Sequence, residues 1–391
     1  MKRIHLVVAI FLGTATCSSR AYAEAGQYQV VAETPGMCEV ISLNDAGQYL
    51  VRREVEANAA VLSIEDFVHT PKGAFPLKAP ETFTHVQLVR IAASGHVLAV
   101  VRRPPGEADT SQRSLVLNVN NAEQEWLPIP GDYRDSVACD VSADGKVVTG
   151  YVIGRDPPRM LPCVWEKSAT GWRAAVLVTP YLENPLLTTA SVVVSNDGKL
   201  IAVSLVESRV DDLPRYALYV YRRQADGDPE EENRAADAAQ QRWTAELVLP
   251  QAVHLAGVTD DGQIVGRILE RNRRVAVLVS ATEKTVQQIL PEGYTNSRAT
   301  GINRQAIVVG VADNGRMGMG ETRAFAWRDG KFLDLPFPAD VTSSVINCIS
   351  AEGRMAGMIE RTIESSTAEP TYVNSAVIIE APTESANSNP Q

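Results

Sequence analysis

Ser136-Val-Ala-Cys-Asp-Val-Ser142-Ala-Asp144-Gly145-Lys-Val-Val-Thr-Gly150 sets two apolar runs on either side of a short polar turn. Such a pattern folds as a β-hairpin. Ser142 suits the first position of a type I turn, and Gly145 can take the left-handed conformation that closes a three-residue hairpin loop. The same turn recurs at Asn44-Asp45-Ala46-Gly47, Ala93-Ser94-Gly95, Asn196-Asp197-Gly198, Asp260-Asp261-Gly262 and Ala351-Glu352-Gly353. A degenerate copy reads Asn303-Arg304-Gln305-Ala306. The turn positions are therefore 47, 95, 145, 198, 262, 306 and 353, at steps of 48, 50, 53, 64, 44 and 47 residues. Steps of that size match one four-stranded blade of a β-propeller.

Third and fourth apolar runs follow the hairpins. The third reads Leu161 to Trp165 in copy three, Tyr216 to Tyr221 in copy four, Val275 to Val279 in copy five and Arg323 to Trp327 in copy six. The fourth reads Trp172 to Leu177, Trp243 to Leu249 and, after the tight turn Asp329-Gly330, Lys331 to Leu335. Four strands in each of seven copies predict an all-β fold, a single seven-bladed β-propeller over residues 24–381, whose ring leaves only short, protected sheet edges. Copies one and two have weak third and fourth strands around Val61 to Ile64, Ala74 to Leu77 and Leu115 to Val119, so six blades plus an irregular N-terminal segment is the competing architecture. Copy seven has a third strand at Asn374 to Glu380 and no fourth. The segment Gly26 to Glu33 has strand composition and belongs to no hairpin, so it is expected to complete the last blade as its outer strand. The tail 382–391 is expected to be disordered. The step of 64 comes from an acidic insert at 222–241, carrying Asp226, Asp228, Glu230, Glu231, Glu232 and Asp237. It reads as a solvated loop.

The chain opens with Lys2 and Arg3, an apolar run from Leu6 to Gly13 and the small-x-small pattern Ala21-Tyr22-Ala23. These are the parts of a secretory signal peptide, residues 1–23, and they predict a periplasmic or secreted protein starting at Glu24. Lipidation at Cys17 is the less favoured alternative, because Thr14 and Thr16 fit a lipoprotein signal poorly. No apolar stretch reaches the ~20 residues of a spanning helix. Loss of Lys2, Arg3 and Arg20 takes the formal charge from -10 to -13. A surface so acidic repels nucleic acid and anionic membranes. Cys38, Cys139, Cys163 and Cys348 remain, too sparse in so long a chain to read as a disulfide framework, and their pairing is open.

Chemistry is not written into motifs. His69, His85, His96 and His254 are scattered, and no nucleophile elbow, metalloprotease helix or Cys/His metal spacing occurs. No cofactor or metal is expected. The acids Asp45, Asp144, Asp197 and Asp261 sit in hairpin turns, where Asp bonds its own backbone, and are read as turn formers and not as calcium ligands. Gly315 to Gly320 joins two strands and reads as a loop, since it opens no helix that could bind phosphate. By analogy among propellers, ligands sit at the mouth of the central channel, on loops that lead into the innermost strands. Those loops carry Tyr133, Arg134 and Asp135 before blade three, His254 in blade five, and Tyr294, Asn296 and Arg298 before blade six. These seven are the candidate binding residues, against a reading of them as ordinary polar loop residues.

Val141 to Tyr151 and Gly301 to Gly310, the latter followed by Arg323-Ala-Phe-Ala-Trp327 and Phe332 to Leu335, resemble the bacterial extracellular HAF-repeat family. Copies three and six carry most of that resemblance. It implies a secreted propeller-like fold and no agreed biochemical activity. Some relatives end in a membrane autotransporter barrel; none follows here through Gln391, so self-anchoring is not expected. The sequence reading is thus an exported, non-enzymatic binding or scaffolding propeller, expected as a monomer, with an unidentified protein or glycan ligand. The alternative is a propeller hydrolase or lyase acting on a polysaccharide or peptide.

Overall fold

All seven turn positions of the repeat adopt the left-handed conformation. Gly47, Gly95, Gly145, Gly198, Gly262 and Gly353 have φ between 69° and 95°, and the degenerate Ala306 has φ 56°. The Ser or Thr that opens the turn is tied to the acid two residues on: Ser142 Oγ donates to Asp144 Oδ1 (2.7 Å), which also accepts from the Lys146 amide (3.0 Å). Ser195 and Asp197 repeat this (2.7 Å), as do Thr259 and Asp261. Asp45 stands one position earlier in its turn and differs from the expectation of own-turn bonding. It accepts the Glu352 amide of blade seven (3.0 Å), while Asn44 Oδ1 caps its own turn through the Gln48 amide (3.0 Å).

The computed structural model describes residues 29–35, 38–58, 61–76, 83, 85–103, 112–131, 133–154, 159–177, 187–207, 215–224, 242–251, 253–270, 272–315, 322–363 and 371–380. The signal segment, most of the acidic insert, residues 316–321 and the tail lie outside them. The described chain forms twenty-eight strands in seven four-stranded antiparallel sheets, a seven-bladed β-propeller. Six sheets run in sequence order from the innermost strand outward. The innermost strands are Cys38–Leu43, His85–Ile91, Asp135–Val141, Leu187–Val194, His254–Val258, Asn296–Ile302 and Val341–Ile349. Blades one and two, weak in sequence, are complete: Val61–Thr70 and Gly73–Pro76 supply the third and fourth strands of one, Gln112–Asn118 and Glu123–Trp126 those of the other.

Blade seven closes the ring. Its fourth strand is Gln29–Pro35, antiparallel to Thr371–Glu380 from Gln29 opposite Glu380 to Pro35 opposite Ser375. Apolar side chains fill every blade interface. Leu50, Leu88 and Leu115 pack between blades one and two, Trp165 and Leu98 between two and three, and Phe325, Trp327 and Val265 between five and six. Val40, Val51, Cys348 and Ala376 pack between seven and one. Burying such side chains stabilises by about 1.5–3 kcal/mol each, spread evenly around the ring. Buried acceptors stitch the blades as well: Asp140 takes the Val194 amide (3.0 Å) and Arg90 Nε (3.0 Å), and Ser42 Oγ takes the Ile91 amide (3.2 Å). Cys139, Cys163 and Cys348 are free thiols.

Candidate functional site

A β-bulge interrupts every innermost strand, at Ile41, Val89, Cys139, Ala190, Ala256, Thr300 and Asn347. A bulge adds one unpaired residue and re-aims the strand, so the bulged residue and the one two positions before it share the face that looks into the ring. In blades one, five, six and seven these residues line a cavity of about 390 Å3 in the channel mouth. Glu39, His254 and Arg298 hold the outer position, and Ile41, Ala256, Thr300 and Asn347 the bulge. Arg52 and Arg267 join them from the second strands of blades one and five, directly opposite Glu39 and His254.

The two sides of the cavity differ electrostatically. On blade one, Arg52 is spoken for: Nε and Nη2 donate to both oxygens of Asp66 (3.0 and 3.1 Å), which also accepts the Leu88 amide (2.7 Å). Glu39 takes a hydrogen bond from Asn347 Nδ2 (3.2 Å), and the same Nδ2 reaches the Val40 carbonyl (3.2 Å). On blades five and six, His254, Arg267 and Arg298 face one another, and neither arginine has an ion-pair partner among the described residues. Burial, then the charges of Arg274 and Arg298, push the Arg267 guanidinium below its usual range. Burial, then Arg267, push His254 below the usual histidine value, with Arg298 acting the same way and nearby backbone opposing. At neutral pH the imidazole is uncharged, and beside it stand two like charges that only an anion would relieve.

Of the seven residues expected at the mouth, the structure brings His254 and Arg298 together in this cavity. The other five are engaged elsewhere. Arg134 Nε pairs with Asp135 (3.0 Å), and the buried Asp135 accepts the Gln112 amide of blade two (2.8 Å). Tyr133 packs against the Trp165 core and Tyr294 against the Phe325 core. Asn296 accepts the Arg274 amide (3.0 Å) and donates to Asp313 (2.8 Å). Tyr133, Arg134 and Asp135 fall short because blade three is not among the blades that form the cavity wall.

Glu39, Arg52, Arg267, Thr300 and Asn347 escaped the sequence reading, although the repeat held the signal for Arg52 and Arg267. Eight residues before the turn stand Glu39, Gln87, Val137, Ala190, His254, Arg298 and Val345, and six before it Ile41, Val89, Cys139, Val192, Ala256, Thr300 and Asn347. Five after it stand Arg52, Val100, Gly150, Val203, Arg267, Val311 and Met358. At five after, Arg52 and Arg267 are the charged exceptions among Val, Gly and Met, and both line the cavity; Thr300 and Asn347, uncharged, carry no such mark.

No protein family matches the chain, and no curated protein matches it in sequence. Solved structures do. Prolyl oligopeptidase B from Galerina marginata is similar at 11% identity over 88% of this chain and 50% of its own, with a TM-score of 0.52. Dipeptidyl peptidase 4 of Porphyromonas gingivalis is similar at 11% identity over 88% of this chain and 53% of its own, TM-score 0.48. The β-propeller domain of the Trilobed protease from Pyrococcus furiosus is similar at 11% identity over 91% and 94% of the two chains, TM-score 0.49. The chain spans about half the length of the two peptidases. Likeness at such identity extends to the fold alone.

Proposed function

We propose that this chain is an exported, non-enzymatic binding propeller whose channel mouth receives a carboxylate-bearing ligand. The observation that carries this reading is the pair Arg267 and Arg298, without an ion-pair partner among the described residues, around His254 inside a cavity of a chain with formal charge -10. A cationic recess in an acidic surface focuses field on anionic groups. A volume near 390 Å3 lies in the range of small-molecule sites. A histidine oriented by a carboxylate, the triad arrangement of many hydrolases, is not what surrounds His254. The imidazole has arginines beside it, and Glu39 sits on blade one, hydrogen-bonded to Asn347. Export rests on Lys2, Arg3, the apolar run to Gly13 and Ala21-Tyr22-Ala23, and kinship with HAF-repeat proteins on copies three and six.

Calorimetric titration with citrate at low ionic strength tests the site. Wild type binds; Arg298→Gln weakens binding about tenfold, the equivalent of one good charge-assisted contact. The Arg267→Gln/Arg298→Gln double variant shows no binding, while Arg134→Gln, outside the cavity, matches wild type. Equal affinity of the double variant and wild type would falsify the assignment.

A further inference from the structure

The cationic side of the cavity does not end at the channel. Strand alternation places Val265, Arg267 and Leu269 on one side of blade five, and Val265 belongs to the core shared with blade six. On the neighbouring strand Ala276 stands opposite Arg267 and Arg274 opposite Leu269, so Arg274 shares that side. Its amide reaches across to Asn296 on the innermost strand of blade six, two residues before Arg298. A strip of surface beside the junction of blades five and six thus carries Arg267 and Arg298 at the cavity and Arg274 and Leu269 farther along the same side. Acids nearby are already engaged. Glu270 pairs with Arg273 (3.6 Å), and Asp313 accepts from Asn296 Nδ2 and the Gly315 amide (2.7 Å). Leu269 is 68% exposed, the most of any large apolar side chain among the described residues.

We infer, building on the carboxylate-site reading, that the ligand is an extended acidic peptide lying from the cavity along this strip. Its carboxylates meet Arg267, Arg298 and Arg274, and an aliphatic side chain covers Leu269. Spacing supports a peptide: Arg267 and Leu269 are two residues apart on a strand, about 7 Å, the distance between same-side side chains of an extended polypeptide. A polyuronate would supply the carboxylates and nothing for Leu269, and no Trp, Tyr or Phe lines the cavity to stack on a sugar ring.

Fluorescence anisotropy separates the cases, with a fluorescein-labelled peptide in which glutamate and leucine alternate two positions apart, and a labelled oligouronate of equal charge. The full chain binds the peptide more tightly than the oligouronate. Leu269→Ser weakens the peptide about tenfold, the effect of one buried aliphatic contact, and leaves citrate affinity within about twofold. Arg274→Gln weakens the peptide by a similar factor. Tighter binding of the oligouronate, or a Leu269→Ser variant with wild-type peptide affinity, overturns the peptide inference and spares the carboxylate site. Loss of citrate binding by wild type overturns both.

Discussion

Ala306 shows what the repeat demands of a single residue. It holds the left-handed turn position that glycine fills in the six other copies, at φ 56°. A Cβ in that conformation costs roughly 1–2 kcal/mol. The turn survives because Asn303 Oδ1 accepts the amides of Gln305 (3.1 Å) and Ile307 (2.9 Å), and the Ala306 amide donates back to the Asn303 carbonyl (3.1 Å). Ala306→Gly should therefore raise the unfolding free energy by about 1 kcal/mol, read from the urea midpoint at unchanged slope. A neutral or destabilising result would mean that the turn relaxes elsewhere in solution. The turn residues were legible one by one because their conformation is local. Arg267 was not, because what makes it a candidate is its neighbours Arg274 and Arg298, from strands other than its own.

At the scale of elements, the hairpins announced themselves and so did the unpaired strand near the start of the chain, expected over 26–33 and found over Gln29–Pro35, with 26–28 outside the described residues. Pairing runs from Gln29 opposite Glu380 to Pro35 opposite Ser375, with a bulge between Val30 and Ala32. Val30 reaches the apolar clusters that hold Ile379 and Val377. Removing residues 29–35 would expose the edge of Thr371–Glu380 from Ser375 to Glu380, a template for pairing with another chain. We expect such a variant to lose at least about 5 °C of thermal midpoint. It should also sediment as concentration-dependent oligomers where the intact chain does not. A deletion variant with the parental midpoint would show that the ring closes without its fourth strand.

For the whole molecule, burial of histidines sets a pH dependence. His69, His96 and His254 are each held below the ordinary value of 6.5, burial being the largest cause in all three; the Arg53 charge adds to it at His69, and Lys167 adds to it at His96 against nearby carboxylates. Between the lowered folded values and 6.5 the unfolded chain binds more protons than the folded one, so stability rises with pH there. It is full above 6.5 and is lost as pH falls below. Urea unfolding at pH 7.5, 6.5 and 5.5 should give a falling series, flattened by the His69→Gln/His96→Gln pair. A flat series in wild type would contradict these shifts. Asp260, raised by burial, works in the opposite sense in the carboxylate range.

The hairpin repeat, the identity of the closing strand and the turn geometry follow from the sequence by itself, because each rests on short-range chemistry, whereas seven blades over six was decided by the third and fourth strands of blades one and two. Turn residues impose left-handed backbone, alternation imposes strands, and an unpaired edge needs a partner. Which side chains share the channel mouth was decided by the tertiary structure. Glu39 and Asn347 stand more than 300 positions apart yet touch at 3.2 Å, since ring closure sets blade seven beside blade one. Arg52 and Arg267 occupy the same place in the repeat, but only one is neutralised, because Asp66 faces Arg52 across a strand pair. Charge compensation depends on distances that the linear order does not contain, so the cationic side of the cavity emerges only when the ring is closed.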